Sequence, residues 1–336
     1  MSAIIIFLIL ALLSYISVFY IRQLALRYNI LDNPNERSSH SIPMPLGGGL
    51  AIVILVLVTS IVFADQTQVI RSLIYIVLSA ILAVVGWRDD LLSLSAYYRF
   101  AVQGLVAAIS ILAMGYFRVV RVPLIGELDL GVVGIVITFF WIIGMINAYN
   151  FMDGIDGMAG GVAVIAGLGW MILSANVQNA FVFWVALAIA ATSLGFLGHN
   201  WPPAKIFMGD VASTFLGYSF AVLPLLSASQ TGDALTVGTL LMWIVIMDTF
   251  MTFLRRLIKG ENVFSGHRSH LFQQLVMGGY KHGTISALYI FLTALAAVLS
   301  YEWSHGDQVA PLLIFIGLPL IWILLSIHAA RLQRAQ

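Results

Sequence analysis

The sequence predicts an all-α protein that crosses a membrane many times. Three observations predict it. Of 336 residues, 61% are hydrophobic and only 9% charged, where a soluble domain has about 25% charged residues. Mean hydropathy is +0.99, and the apolar residues form continuous runs near 20 residues long. Backbone groups inside lipid must bond internally, which leaves helices or closed barrels, and continuous runs rather than alternation select helices.

In chain order, eleven helical spans are expected near 3–21, 47–64, 70–87, 99–116, 131–148, 160–175, 181–198, 213–229, 234–254, 283–300 and 310–328. The first run lacks a basic leader, and Arg22 and Arg27 follow it, so it reads as an uncleaved span rather than a signal peptide. The sixth run is short and starts on Gly160-Gly161, which suggests a broken or half-buried helix. One integral-membrane domain over 1–336 is expected, with no clear internal repeat. Having no cysteine, the chain cannot use disulfides or thiolate metal sites. Its net charge of +1 gives no reason to expect nucleic acid as a partner.

Two sets of loops alternate between these spans. One set is 22–46, 88–98, 149–159, 199–212, 255–282 and the tail after 328. With Arg99 and His328 counted at its loop edges, it holds every Lys and Arg except Arg71, Arg118 and Arg121, and every histidine except His305. Basic residues accumulate on the cytoplasmic side. The N-terminus is therefore expected outside, the C-terminus in the cytoplasm, and the chemistry on the cytoplasmic face.

Five of the inside loops carry that chemistry. The first runs from Asp32 through Arg37 and His40 to Gly47-Gly48-Gly49. It reads either as a reverse turn or as a phosphate-facing loop using Arg37, His40 and backbone amides. The second opens Trp87-Arg88-Asp89-Asp90, where adjacent carboxylates repel unless a cation is near. The third is Asn147-Ala-Tyr-Asn150-Phe-Met-Asp153-Gly-Ile-Asp156-Gly157. On one continuous helix, steps of three residues drift back by roughly 60° each. Gly154 and Gly157 suggest that the helix ends here, which would gather the four polar groups. Oxygen-only ligands of this kind suit a hard cation such as Mg²⁺.

The fourth loop holds His199-Asn200 and Phe207-Met-Gly209-Asp210. Asp210 is either the N-cap of the next helix or a ligand, and Phe207 either packing or a stacking surface. The fifth carries Gly266-His267-Arg268-Ser269-His270, which fits phosphate better than zinc, because no third soft ligand is close. Asp248, inside the ninth span, is an intramembrane acid that is functional by default or paired with a basic neighbour.

Taken in this order, the five loops resemble the polyprenyl-phosphate N-acetylhexosamine-1-phosphate transferases over nearly the whole chain. The most specific parts are Asp89-Asp90, Asn147 through Gly157, and Phe207 through Asp210. The resemblance implies transfer of a sugar-1-phosphate from a UDP-N-acetylhexosamine to undecaprenyl phosphate, with Mg²⁺ as cofactor and Mn²⁺ as a substitute. It implies Asp210 and Asn150 as metal ligands, and Asp89, Asp90 and Asp153 as catalytic acids. It also implies Asp156, Asn200, Phe207 and Asn147 around the nucleotide. His267, Arg268 and His270, with Arg37 and His40, fall to the diphosphate and sugar. The inner membrane of a bacterium, contact with membrane lipid and a homodimer fit the same family.

Two departures mark this chain. Phe272 and Gln273 stand where many members continue with histidines, and Ser38 follows Arg37 where many have lysine. Both changes look like the O-antigen-initiating branch. The rival class is an ion-coupled secondary transporter using Asp89, Asp90, Asp153 and Asp248. Transporter sites lie near the midplane, often in inverted repeats, whereas most of these acids sit at one face.

Overall fold

Each apolar run becomes a helix in the computed structural model, which describes residues 2–34, 42–176, 179–227, 233–261 and 268–335. In order these are α1 (Ala3–Arg27), α2 (Leu50–Val62), α3 (Val69–Leu92), α4 (Ala96–Met114), α5 (Val133–Met152), α6 (Met158–Asn176), α7 (Ala180–Asn200) and α8 (Asp210–Ser227). There follow α9 (Asp233–Leu241), α10 (Trp243–Ile258), the short α11 (Leu271–Met277), α12 (His282–Ser304) and a C-terminal helix, Ala310–Gln333. Strands are confined, among the described residues, to two antiparallel pairs. β1 (Leu31–Asp32) pairs with β2 (Met44–Pro45), and β3 (Val119–Val122) with β4 (Gly126–Asp129). The protein is an all-α, multi-pass membrane protein.

The expected eleven spans need correction. Among the described residues, nine helices are long and apolar enough to cross a membrane, and α9 with α10 makes a tenth if the pair is one span. That pair bends by 77° at Met242, whose backbone leaves the helical range at φ −100°, ψ 13°. The expected span 47–64 is only the 13-residue α2. At 1.5 Å per residue it is about 20 Å long, short of a hydrocarbon core of about 30 Å. The sixth run is not broken: α6 is continuous and mostly buried.

Lipid tails are as apolar as leucine, so close packing rather than hydrophobicity holds such helices together. Small residues provide it. Ala186, Ala188, Ala190 and Ala191 of α7 are all fully buried. Against them a Cβ on Gly167 of α6 would lie 2.8 Å from the Ala190 nitrogen. The most enclosed helix is α8, buried over nearly its whole length and packed between α3 and α5. The outer helices α1 and α4 keep broad apolar faces exposed, as lipid contact requires. Burying α8 this completely gives its first residue, Asp210, a fixed position at the end of the bundle.

Candidate active site

A cleft of about 490 Å³ opens at one end of the bundle. The C-terminal ends of α3 and α7, the loop after α5, and the N-terminal ends of α4, α8 and α11 meet around it. Asp32, Asp89, Asp90, Asp153, Asp156 and Asp210 line it, with Asn200, Phe207 and Gln273. Arg99 is the one basic side chain among the lining residues that the structure describes. Seven predicted residues, from three of the five loops' motifs, therefore share one cavity: Asp89, Asp90, Asp153, Asp156, Asn200, Phe207 and Asp210. Arg37, His40 and His267 lie outside the described residues.

The adjacent aspartates divide their tasks. Asp90 accepts from the Asp210 N–H at 2.8 Å and from the Val211 N–H at 3.1 Å. It thereby caps α8 from a different helix, satisfying N–H groups that a helix start leaves unpaired. The cap that Asp210 could have supplied comes from Asp90 instead, and the Asp210 carboxylate faces the cleft. Gly209 is required at this join: its φ is +83°, and a Cβ would stand 2.6 Å from an Asp90 oxygen.

Asp89 accepts from the Leu94 N–H at 2.7 Å and pairs with Arg99 at 2.7 Å. The same Arg99 nitrogen lies 3.8 Å from Asp210. Arg99 was missed by sequence reasoning, which left it at a loop edge. The available signal was the short connection: only residues 93–95 separate α3 from α4, so the first turn of α4 must face the last turn of α3. Asp32 was missed as well, because Arg37 and His40 drew attention away from the start of their loop.

The stretch 147–157 does not gather all its polar groups. The helix continues to Met152, so Asn147 and Asn150 remain on α5 and bond to different helices, α4 and α8. The Asn147 amide donates to Gln103 Oε1 at 2.7 Å and is not on the cleft wall. Asn150 accepts from Ser213 Oγ at 2.7 Å, one turn of α8 beyond Asp210, and it too is not on the cleft wall. Past the helix end, Asp153 and Asp156 turn into the cleft. Burial raises the Asp153 pKa well above the carboxylate range. The charge of Asp90 and, less strongly, those of Asp156 and Asp32 add to this, against the Gly209 N–H.

Two loops far apart in sequence are stitched together under Phe207. The Phe207 N–H donates to Pro45 O at 2.8 Å, the Gly48 N–H to Phe207 O at 2.9 Å, and the Gly49 N–H to Met208 O at 3.0 Å. Of the backbone amides expected to face a phosphate, those of Gly48 and Gly49 are used by the protein itself. Asn200 behaves likewise, accepting from the Gly157 N–H at 2.9 Å and donating to Ile206 O at 3.0 Å.

The histidine loop is anchored from inside the bundle. His270 is buried and is not on the cleft wall; its Nδ1 lies 3.6 Å from Asp248 Oδ2. Asp248, fully buried on α10, accepts from the Leu271 N–H at 2.9 Å and from Trp322 Nε1 at 3.1 Å. Arg255 donates to Ser269 O. Arg268 is half-buried and likewise not on the wall. What this segment brings to the cleft is Gln273.

The chain matches known proteins along the same stretches. Residues 72–228, from within α3 to the end of α8, match the family described as Glycosyl transferase family 4. A probable undecaprenyl-phosphate N-acetylglucosaminyl 1-phosphate transferase of Bacillus subtilis is 33% identical over 278 residues, covering 81% of this chain and 76% of that protein. Undecaprenyl-phosphate alpha-N-acetylglucosaminyl 1-phosphate transferases of Yersinia pestis and Escherichia coli K12 are 29% and 30% identical. These two alignments cover 96% and 86% of this chain, and 90% and 81% of the relatives. The chain belongs to the polyprenyl-phosphate N-acetylhexosamine-1-phosphate transferase family.

Proposed function

We propose that the protein transfers N-acetylhexosamine-1-phosphate from a UDP-sugar to undecaprenyl phosphate, releasing UMP. An oxygen of the lipid phosphate attacks the sugar-bearing phosphorus. The bond from that phosphorus to the bridging oxygen breaks, and UMP leaves with that oxygen. The observation that carries this reading is the cleft itself: six carboxylates and Arg99, set at the end of a membrane bundle. An acceptor too apolar to leave the bilayer needs its partner at such a place.

Phosphoryl transfer is mostly positioning and charge stabilisation. The lipid phosphate is largely dianionic at neutral pH, its second pKa being near 6, so no strong base is needed. Asp89, already paired with Arg99, then serves to position. Arg99 offers the planar donor set that suits phosphate oxygens. Asp90 holds the start of α8, and with it Asp210.

The lining fits a hard cation by its chemistry, since carboxylate and amide oxygens are the ligands such ions take. Among the described residues no three acids or histidines converge closely enough to hold an ion unaided. That accords with Mg²⁺, which keeps waters and uses one or two protein ligands plus substrate phosphates. Asp210 of the lining would hold it, joined by Asn150 from one turn behind the wall, with Mn²⁺ as a substitute. Bound there, the ion would offset repulsion between two anionic substrates.

The basic loops support a cytoplasmic position for this face, and the bacterial relatives named for undecaprenyl phosphate support a bacterial inner membrane. The reaction would be the first membrane step of O-antigen or a related envelope polysaccharide. Purified protein with undecaprenyl phosphate, Mg²⁺ and a panel of UDP-N-acetylhexosamines should release UMP with at least one of them, and EDTA should stop it. Release from no member of the panel refutes the function. Undiminished release from Asp210→Ala refutes the metal ligand.

A further inference from the structure

Asp156 is gripped by two segments at once, the loop after α7 and the start of α12. Its Oδ2 accepts from the Ala204 N–H at 3.1 Å, and its backbone oxygen accepts from Ser286 Oγ at 2.7 Å. Its Oδ1 lies 3.4 Å from His282 Nδ1, and its own N–H points at the same ring nitrogen at 3.5 Å. His282 and Ser286 occupy the first turn of α12, a helix of 23 residues whose Ile290 packs on Gly161 of α6. The loop that carries Ala204 leans on the same place: Pro202 would stand 3.1 Å from a Cβ on Gly157 and 3.7 Å from one on Gly283. The start of α12 thus closes the back of the wall that Asp156 shares with Asn200 and Phe207.

We infer that His282 is a positioning residue for the donor substrate, acting through Asp156. A carboxylate oxygen has two acceptor sites. With Ala204 on one oxygen and His282 beside the other, the plane of the carboxylate is set where it lines the cleft. A bare Nδ1 accepts from the Asp156 N–H, whereas a protonated one donates to the carboxylate, and each bond fixes the same residue. An aromatic ring and an acid on one wall suit a planar base with N–H donors. The inference rests on the proposed function, in which this wall takes the uridine end of the donor. Nothing in the motifs points to His282, which lies 126 residues from Asp156 in sequence.

The test uses full-length protein in lipid nanodiscs. His282→Ala should raise the KM for UDP-GlcNAc roughly tenfold, the scale of one lost hydrogen bond to a charged group. The KM for undecaprenyl phosphate and kcat should stay within about twofold, a split that general loosening would not give. UMP titrated calorimetrically should lose affinity by the same factor. His282→Gln, whose amide can still serve Asp156, should recover most of it. Equal UMP affinity in wild type and His282→Ala overturns the inference. So does an equal rise in both KM values with a lowered Tm. If wild type neither binds UMP nor releases it from any UDP-sugar, the proposed function falls first and this inference with it.

Discussion

Removing the Asp90 carboxylate should loosen the start of α8 as well as lower activity. Asp90 takes two backbone N–H groups, at 2.8 and 3.1 Å. Hydrogen bonds to a charged group are worth about 1.5–3 kcal/mol each, and losing an N-cap costs about 0.5–2. Water in the cleft can replace part of this, so Asp90→Ala should destabilise by about 2 kcal/mol. Asp90→Asn keeps one acceptor oxygen and should lose about half as much. Gly209→Ala strikes the same join from the other side. Its positive φ costs an alanine about 1 kcal/mol, and displacing Asp90 adds about 2 more. In the double variant the displaced carboxylate is already gone, so about 3 kcal/mol is expected rather than the 5 of simple addition.

Unfolding midpoints in mixed micelles, alongside UMP release, would measure all four proteins. Additivity within about 0.5 kcal/mol would refute the coupling. An Asp90→Ala protein with an unchanged midpoint but no activity would show that Asp90 acts on the substrate and not through α8.

Other expectations are independent of that join. Arg99→Ala should cut kcat/KM by at least roughly a hundredfold, about 2.7 kcal/mol, and Arg99→Lys should recover only part, because a lysine lacks the planar fork; steady-state UMP release decides. Asn147→Ala should leave the KM for the UDP-sugar unchanged and cost about 1 kcal/mol of stability through Gln103; a tenfold rise in that KM would return Asn147 to the nucleotide wall. The raised Asp153 pKa means that the folded protein binds this proton more tightly than the unfolded chain does. Stability should then fall as pH rises from the ordinary carboxylate value near 4 through the raised one. Tm against pH should show that slope, Asp153→Asn should make it shallower, and added MgCl₂ should raise Tm more at higher pH, since a cation competes with the proton.

Hydropathy made the helices legible almost one for one, because a bilayer demands length and apolarity of each crossing. It could not show the 77° break at Met242, where neither proline nor glycine marks the chain. It also overcounted α2, since Gly48 and Gly49 look apolar enough for a span but bond to another loop. Within the site, acids at loop starts were visible because charge in an apolar chain stands out. Their partners were not. That Asn147 turns to Gln103, Asp90 to α8 and His270 to Asp248 depends on which helices are neighbours, and spacing along one segment carries no trace of it.

The seam beneath Phe207 bears on how such proteins can be rebuilt. Residues 45–49 and 207–208 exchange backbone bonds in register, so neither loop owns its conformation. A chimera that imports the first loop alone from a relative would shift the phenylalanine even though the fourth loop keeps its native sequence. Substrate preference in this fold should therefore travel with pairs of loops, and libraries that recombine them singly should return mostly inactive protein.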